Sequence, residues 1–346
     1  MSLTEAMRAR DFEQVVVCRD PGVGLESVIA VHDTTLGPSL GGIRMRAYAD
    51  HDAALADALD LAEAMTYKAA LAGLDLGGGK SVINADPRSV NRNDLLAAHA
   101  RFIGSLGGRY IPAVDMGTTI DDLDLVGRYV RRVSSQRRDP SPYTALGVVE
   151  SIRAAVQLDG RPGLDGVKIA VQGLGHVGQH VAKLLAEAGA HLVVADINDT
   201  AVRAARDDLG ATVLPVEDIM GADVDVLCPC AAGGVIDAQV LDRLKARYVI
   251  GAANNVLSSA SVAVALAERG VVHVPDFVAN AGGLIACAAE VHGDDSKLSA
   301  DVERIAETTT AVLRRAAETG RDTVSVAVEI GRDRLAARRS ERPRFL

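Results

Sequence analysis

The chain has 346 residues, 48% hydrophobic and 24% charged, the balance of a soluble globular protein of about two domains, which excludes wholesale disorder. Lys and Arg number 37 against 46 Asp and Glu, a net charge of −9, with aromatics at only 3% and no Trp. A general binder of nucleic acid or of an anionic membrane surface needs clustered cations and stacking rings, so neither partner is expected.

Residues 1–14 are polar and charged and lack the apolar core of a secretory signal. No stretch of about 18 apolar residues is uninterrupted, so no spanning helix is expected. Short strands are predicted over residues 13–19 and 26–32, joined at the turn signal Asp20-Pro21-Gly22. Residues 37–42 read as a loop with approachable backbone. From Asp52 to about Leu71 the spacing of Leu55, Leu59, Ala62 and Ala69 predicts a helix, capped by Asp50 or Asp52. Glycines over 73–79 interrupt it, and a strand restarts at 80–83. A helix over 94–106 precedes a strand over 110–114, which runs into Asp115. Residues 137–142, with Arg137, Arg138 and two prolines, are the best linker.

The texture then changes. A helix from Thr144 through Gln157 leads to a turn at 160–166 and an apolar strand at 167–171. A helix over about 176–188 and a strand over 191–195 follow. Further strands are predicted at 224–227, 248–250 and 271–273. Such alternation argues a parallel sheet covered on both faces. Residues 297–339 read as two helices separated by Gly320. Four Cys make no disulfide framework, so a reducing cytoplasm is expected. Cys228 and Cys230 lack two further ligands at usable spacing; they read as small thiols at a strand end, with no metal.

The 167–171 strand runs into Gly173-Leu174-Gly175-His176-Val177-Gly178, a G-x-G-x-x-G loop that opens a helix. Gly173 would permit the tight turn, Gly175 the approach of a pyrophosphate, and Gly178 the packing of the helix. The helix N-terminus offers unpaired N–H groups to phosphates. Asp196 ends the next strand, roughly 20 residues on, where an acid accepts hydrogen bonds from ribose hydroxyls. It would repel a 2′-phosphate, so NAD is expected as cofactor, although Arg203 blurs that preference.

In the first half, Lys68 stands on an otherwise apolar helix face, where a cation is costly unless it meets an anion. Lys80 follows Gly77-Gly78-Gly79, which would let a substrate approach its amine. A lysine held near other cations and away from water has a lowered pKa and can act as a base. Asp115 ends a strand, where catalytic carboxylates often sit. From the residues alone, ordinary surface lysines remain the alternative.

Several ordered motifs join these residues: Gly37-Pro38-Ser39-Leu40-Gly41-Gly42-Ile43-Arg44, Met65-Thr66-Tyr67-Lys68, residues 73–80, Asp115-Met116-Gly117-Thr118, Pro140-Ser141-Pro142-Tyr143-Thr144-Ala145, Gly251-Ala252-Ala253-Asn254-Asn255 and Ala279-Asn280-Ala281-Gly282-Gly283. On these motifs the chain resembles the glutamate/leucine/phenylalanine/valine dehydrogenase family over nearly its whole length. The resemblance implies reversible oxidative deamination of an L-amino acid to a 2-oxo acid and ammonia, with hydride passing to NAD. It implies Lys68, beside Met65, as the holder of the substrate carboxylate. Lys80 would be the general base that activates water, and Asp115 the group that exchanges a proton with the substrate nitrogen. Gly41 and Gly42 would line the substrate site. Asn254 and Thr144 would position the nicotinamide end, with Ala253 and Asn280 in the same cofactor set.

Glutamate-using members of that family place a lysine and a serine where this chain has Leu40 and Cys287. A glutamate side chain would then be buried without a partner. Leu40, Ala113, Leu284 and Cys287 would make an apolar pocket, which favours leucine or valine, with phenylalanine as the alternative. A sensor that binds NAD and an amino acid without turnover is the rival from another class. Oxidation of a 2-hydroxy acid would instead rely on a His base, and no His stands in a recognised motif.

The expected fold class is α/β: a Rossmann-type doubly wound dinucleotide-binding domain and a mixed α/β substrate domain with a cleft between them. Residues 1–140 would form the substrate and oligomerisation domain, 141–321 the NAD domain, and a helix over 322–346 would return to the first. A hinge is expected near 280–283, where paired glycines absorb rotation. A homo-oligomer is expected.

Overall fold

The computed structural model describes residues 2–134 and 139–341; Arg137 and Arg138 of the expected linker lie outside the described residues, as does 342–346 of the last helix. The chain divides into two units, the first of Met1–Asp139, Cys287–Asp295 and Gly331–Leu346, the second of Pro140–Ala286 and Ser296–Ile330.

The first unit carries α1 (Leu3–Ala9), β1 (Gln14–Asp20), β2 (Leu25–Asp33), β3 (Ser39–Arg46), α2 (His51–Leu71), β4 (Gly77–Asn84), α3 (Arg92–Ser105), β5 (Tyr110–Val114) and α4 (Ile120–Val126). Its sheet has the order β1-β2-β4-β3-β5. β3 runs parallel to β4 and β5, and β2 antiparallel to β1 and β4. Alternating side chains give the sheet two apolar faces. On one, Val28, Ala30 and Val82 pack with Ala54, Ala58, Leu59 and Ala62 of α2. On the other, Ile29, Ile43 and Ile83 pack with Leu95, Leu96 and Ile103 of α3. Asp50 caps α2, accepting the Ala53 N–H at 2.8 Å.

Two expectations fail here for one reason. Residues 39–42 are strand rather than loop, and glycines 77–79 belong to β4 rather than to a break. Glycine reads as a breaker in sequence, but here it permits close approach. A Cβ on Gly41 would lie 1.7 Å from the Gly79 carbonyl oxygen, and one on Gly78 would lie 2.1 Å from the Thr66 nitrogen of α2. Gly78→Ala is therefore expected to push α2 off the sheet and to cost about 1–3 kcal/mol, measured by chemical denaturation. An unchanged midpoint would show that α2 can shift freely.

The second unit begins with α5 (Ser141–Leu158), β6 (Lys168–Gln172), α6 (His176–Glu187), β7 (His191–Ala195), α7 (Asp199–Leu209), β8 (Thr212–Val213) and β9 (Val226–Pro229). It continues with α8 (Ala238–Arg243), β10 (Tyr248–Val249), α9 (Ala260–Glu268), β11 (Val272–His273) and α10 (Asp276–Ala279). Its strands, paired in parallel throughout, take the order β11-β10-β9-β6-β7-β8. This is the doubly wound arrangement, whose order reverses between β6 and β9, so the end of β6 is the switch point where ligands bind. The two terminal helices expected over 297–339 are three, α12 (Leu298–Glu303), α13 (Ile305–Thr319) and α14 (Thr323–Glu341), after α11 (Gly282–His292). The extra break falls at Arg304, which no glycine or proline marks; Gly320, at φ +66°, ends α13 as expected.

From Gly331 onward α14 is tied into the first unit. The Arg334 guanidinium donates to the Ala70 carbonyl at 2.5 Å, in the last turn of α2, where a cation also suits the helix dipole. Arg332 reaches the Tyr67 hydroxyl at 3.2 Å, and Arg339 pairs at 2.5 Å with Asp33, which is 1% exposed. Among the described residues, no helix is long and apolar enough to cross a membrane.

Candidate active site

Strand register gathers the first unit's polar residues. Leu40 pairs with Gly78 and Ile111, and Gly42 with Ala113. Alternation then puts Leu40, Gly42, Arg44, Lys80, Ala113 and the strand-ending Asp115 on the face that α2 covers. Lys80 Nζ lies 2.7 Å from Asp115 Oδ2, and the Lys80 side chain is only 7% exposed. A Cβ on Gly42 would sit 2.5 Å from that of Asp115, so the glycine makes room for the carboxylate. Thr118 Oγ accepts the Asp115 N–H at 2.9 Å and fixes the strand end.

Arg44 is the member that the sequence reading passed over, although it stands within a quoted motif. Its Nε donates to Asp115 Oδ2 at 3.0 Å and its Nη1 to Asp57 Oδ2 at 2.9 Å. Tyr48 donates its hydroxyl to the same Asp57. The signal that could have found Arg44 is parity, since it stands two residues after Gly42. Burial pushes the Lys80 pKa below its ordinary 10.5; Asp115 opposes this and Arg44 adds to it. Burial also works against ionised Asp115, but Lys80 and Arg44 outweigh it and hold the carboxyl below 3.8. A poised amine beside a fixed carboxylate is equipped for proton transfer. Arg44→Gln removes a neighbouring cation, so the rising limb of the rate–pH profile, where Lys80 loses its proton, is expected to move to higher pH. A limb that stays in place would show that Arg44 does not act on Lys80.

Other predicted residues on this side are Lys68 and Met65, both half-buried on α2 near Thr66. Cys287 belongs to the first unit, where its carbonyl accepts from Ser134 Oγ at 3.0 Å, whereas buried Leu284 belongs to the second. Two buried histidines are structural. His99 lies between the Ser27 and Ser81 hydroxyls, at 2.9 and 3.0 Å, and burial holds its pKa down to about 3. His32 sits between Thr66 Oγ1 and the Arg10 carbonyl.

In the second unit the glycine loop lies at the switch point. Gly173 has φ +96°, which favours glycine. At Gly175 a Cβ would meet nothing within 4 Å, which leaves an open cradle. Gly178 packs so closely that a Cβ would lie 2.0 Å from the Gly173 carbonyl oxygen. Leu174 is buried in the loop, while His176 opens α6 exposed, next to half-buried Val177. The α6 N-terminus has no side-chain cap, so its N–H groups face outward for an anion. Asp196 accepts the Leu174 N–H at 2.5 Å and the Asn198 N–H at 2.7 Å, which fixes it beside the loop. Gln172 Oε1, at the end of β6, is buried without a partner among the described residues. Open cradle, free helix N-terminus and adjacent acid together fit an adenine dinucleotide.

Asn280 Nδ2 donates to Asn254 Oδ1 at 2.8 Å and to the Ala252 carbonyl at 3.1 Å, next to buried Ala253. Asn255, unassigned in the sequence reading, has φ +51°, and its N–H is held by Asp276 at 3.0 Å. Such strain clusters at ligand sites. Thr144 Oγ1 donates to the Pro140 carbonyl, and a Cβ on Gly283 would lie 2.5 Å from it. A Cβ on Gly282 would meet the Tyr143 carbonyl oxygen at 1.9 Å. These paired glycines therefore serve contact between α5 and α11; neither has a positive φ. Among the described residues, no group of three or more His, Cys, Asp or Glu could hold a metal ion.

Comparison with known proteins identifies the family. A family model described as Glu/Leu/Phe/Val dehydrogenase, dimerisation domain, matches residues 12–132, and one described as Glutamate/Leucine/Phenylalanine/Valine dehydrogenase matches 137–205 and 198–341. A leucine dehydrogenase of Bacillus subtilis is 42% identical over 322 residues, covering 89% of this chain and 88% of its own. A valine dehydrogenase of Streptomyces coelicolor is 42% identical over 311 residues, 87% and 85% of the two chains. The crystal structure of L-tryptophan dehydrogenase from Nostoc punctiforme superposes with a TM-score of 0.90 at 38% identity, over 98% of this chain and 100% of that one. Matched along almost its entire length, the chain belongs to the Glu/Leu/Phe/Val dehydrogenase family and is an amino acid dehydrogenase.

Proposed function

We propose that this protein catalyses the NAD-dependent, reversible oxidative deamination of an apolar L-amino acid, leucine or valine before others, to the 2-oxo acid and ammonia. The observation that carries the reading is buried Lys80, 2.7 Å from Asp115 on one sheet face. Lys68 holds the substrate carboxylate. Asp115 exchanges a proton with the substrate nitrogen. Lys80, once neutral, takes a proton from water as its oxygen adds to the iminium carbon; the carbinolamine then collapses and ammonia leaves. Bound NAD supplies the hydride acceptor. Asp196 favours NAD over NADP, and Arg203 does not oppose it, since its guanidinium turns to Thr200 Oγ1 at 3.2 Å.

Leu40 and Ala113, on the Lys80 face, are the residues proposed to set an apolar side-chain preference, and neither offers a partner to a carboxylate. Glutamate would bury an unpaired carboxylate there. The tryptophan-using structural relative supports an aromatic substrate as the second reading. β1, at the sheet edge with Val17 66% exposed, is the proposed contact of a homo-oligomer, in keeping with the matched dimerisation domain. The four free cysteines are consistent with a reducing cytoplasm. Steady-state kinetics on leucine, valine, phenylalanine, tryptophan and glutamate, each with NAD and NADP, test the reading. The expected order of kcat/KM is aliphatic, then aromatic, then glutamate, with NAD preferred. Glutamate above leucine and phenylalanine would overturn the pocket assignment.

A further inference from the structure

Cys228 lies in β9 and Cys230 directly follows that strand, two residues on, so both side chains project from one face. Their Sγ atoms are 3.6 Å apart. Cys228 is fully buried, whereas Cys230 is partly exposed. The pair adjoins the glycine loop. Cys230 N–H donates to the Gln172 carbonyl at 2.7 Å, and a Cβ on Gly178 would lie 3.3 Å from the Cys230 Cβ. The next residue, Ala231, packs against Gly173.

We propose that Cys230 and Cys228 form an oxidisable dithiol whose disulfide disables the dinucleotide loop. This rests on the reading that the loop holds NAD. The oxidant is hydrogen peroxide. Cys230 thiolate attacks a peroxide oxygen; the S–O bond forms, the O–O bond breaks and hydroxide leaves. The Cys228 thiol loses its proton and attacks the resulting sulfenic sulfur; the S–S bond forms, the S–O bond breaks and water leaves. The two sulfurs give up two electrons and the peroxide is reduced. The arrangement suits these roles. The neighbouring Cys228 thiol and the Ala252 amide pull the Cys230 pKa down, while Cys228 is raised. The exposed partner is thus the attacking one, and the buried partner resolves.

The S–S bond requires the sulfurs to close from 3.6 Å to about 2.05 Å. Cys228 is embedded between paired strands, so the movement falls on Cys230. Its amide and Cβ carry that movement to Gln172 and Gly178. Displacement of this scale at a binding loop is expected to raise the KM for NAD about tenfold or more.

The test treats reduced protein with hydrogen peroxide and reads intact mass, a peptide map and the KM for NAD. The expected result is loss of two hydrogens, a Cys228–Cys230 link, a raised KM, and recovery of all three with dithiothreitol. Cys228→Ala should keep its activity in reductant, form no link, and suffer a loss with peroxide that dithiothreitol does not reverse. Peroxide that leaves both thiols free, or that oxidises Cys230 alone in the wild type, overturns the dithiol. A link that leaves the KM for NAD unchanged overturns its effect on the loop. Reduced protein that fails to bind NAD at all would instead overturn the proposed cofactor, a result separable because the link is read by mass.

Discussion

Replacing Lys80 with alanine is expected to lower kcat for deamination by about 10³–10⁴-fold while leaving the dissociation constant for NADH unchanged. The side chain is the buried amine beside Asp115; His32, on the same face, is tied between the Thr66 hydroxyl and the Arg10 carbonyl. Burial works against the Arg44 charge, but Asp115 and Asp57 outweigh it and raise its pKa, so Arg44 stays charged. His99 is locked between two serines on the opposite face, with Ser81. Binding should survive because the glycine loop belongs to the other unit. Stopped-flow measurement of NADH formation, with fluorescence titration of NADH, separates the two. A variant that still deaminates at a tenth of the wild-type rate would remove Lys80 from the chemistry. It would also revive a water activated elsewhere.

Asp115→Asn is the second large effect, and it acts on rate and stability together. Removing the carboxylate leaves Lys80 and Arg44 facing each other in a buried site, and breaking such a pair typically costs about 3–5 kcal/mol. The cost is not uniform in pH. Lys80 has a folded pKa below 10.5, so in that window the unfolded chain holds its proton more tightly, and stability rises with pH. Loss of Asp115 lowers the Lys80 value further and widens the window downward. The variant should therefore be most impaired at neutral pH and recover part of its stability at alkaline pH. In the wild type, Asp115 has a folded pKa below 3.8, so its own contribution is complete above 3.8 and disappears as pH falls through the folded value. The rising limb of the residual rate should move to lower pH, opposite to Arg44→Gln. Equal stability losses at pH 7 and pH 10, or two limbs that move the same way, would contradict this account.

How much of this was legible in the sequence depended on which force set each element. Strands β5, β6 and β7 and helix α6 could be read closely, because continuous apolar runs and the glycine loop fix them locally. Strands β3 and β4 could not, because their glycines are placed by neighbours far along the chain: Gly78 by Thr66, Gly42 by Asp115. The same blindness hid Arg44. Its meeting with Asp57 and Asp115 follows from strand parity, and parity is invisible in a segment read as loop. Lys80 and Asp115 were legible through motif alone, and only the register shows why they meet. The break at Arg304 carries no local signal, and the sequence offers no means of anticipating it.

The first unit is discontinuous, and this has a consequence for biogenesis. A ribosome makes all five strands of its sheet before it begins the second unit, but the residues from Gly331 onward emerge only after that unit is made. Until then Asp33 lacks the guanidinium of Arg339, and the final carbonyls of α2 lack that of Arg334. Most domains mature in the order of their synthesis. Here the unit begun first waits for residues made after the other unit, so the half that carries Lys80 and Asp115 is completed only once the second unit has been synthesised.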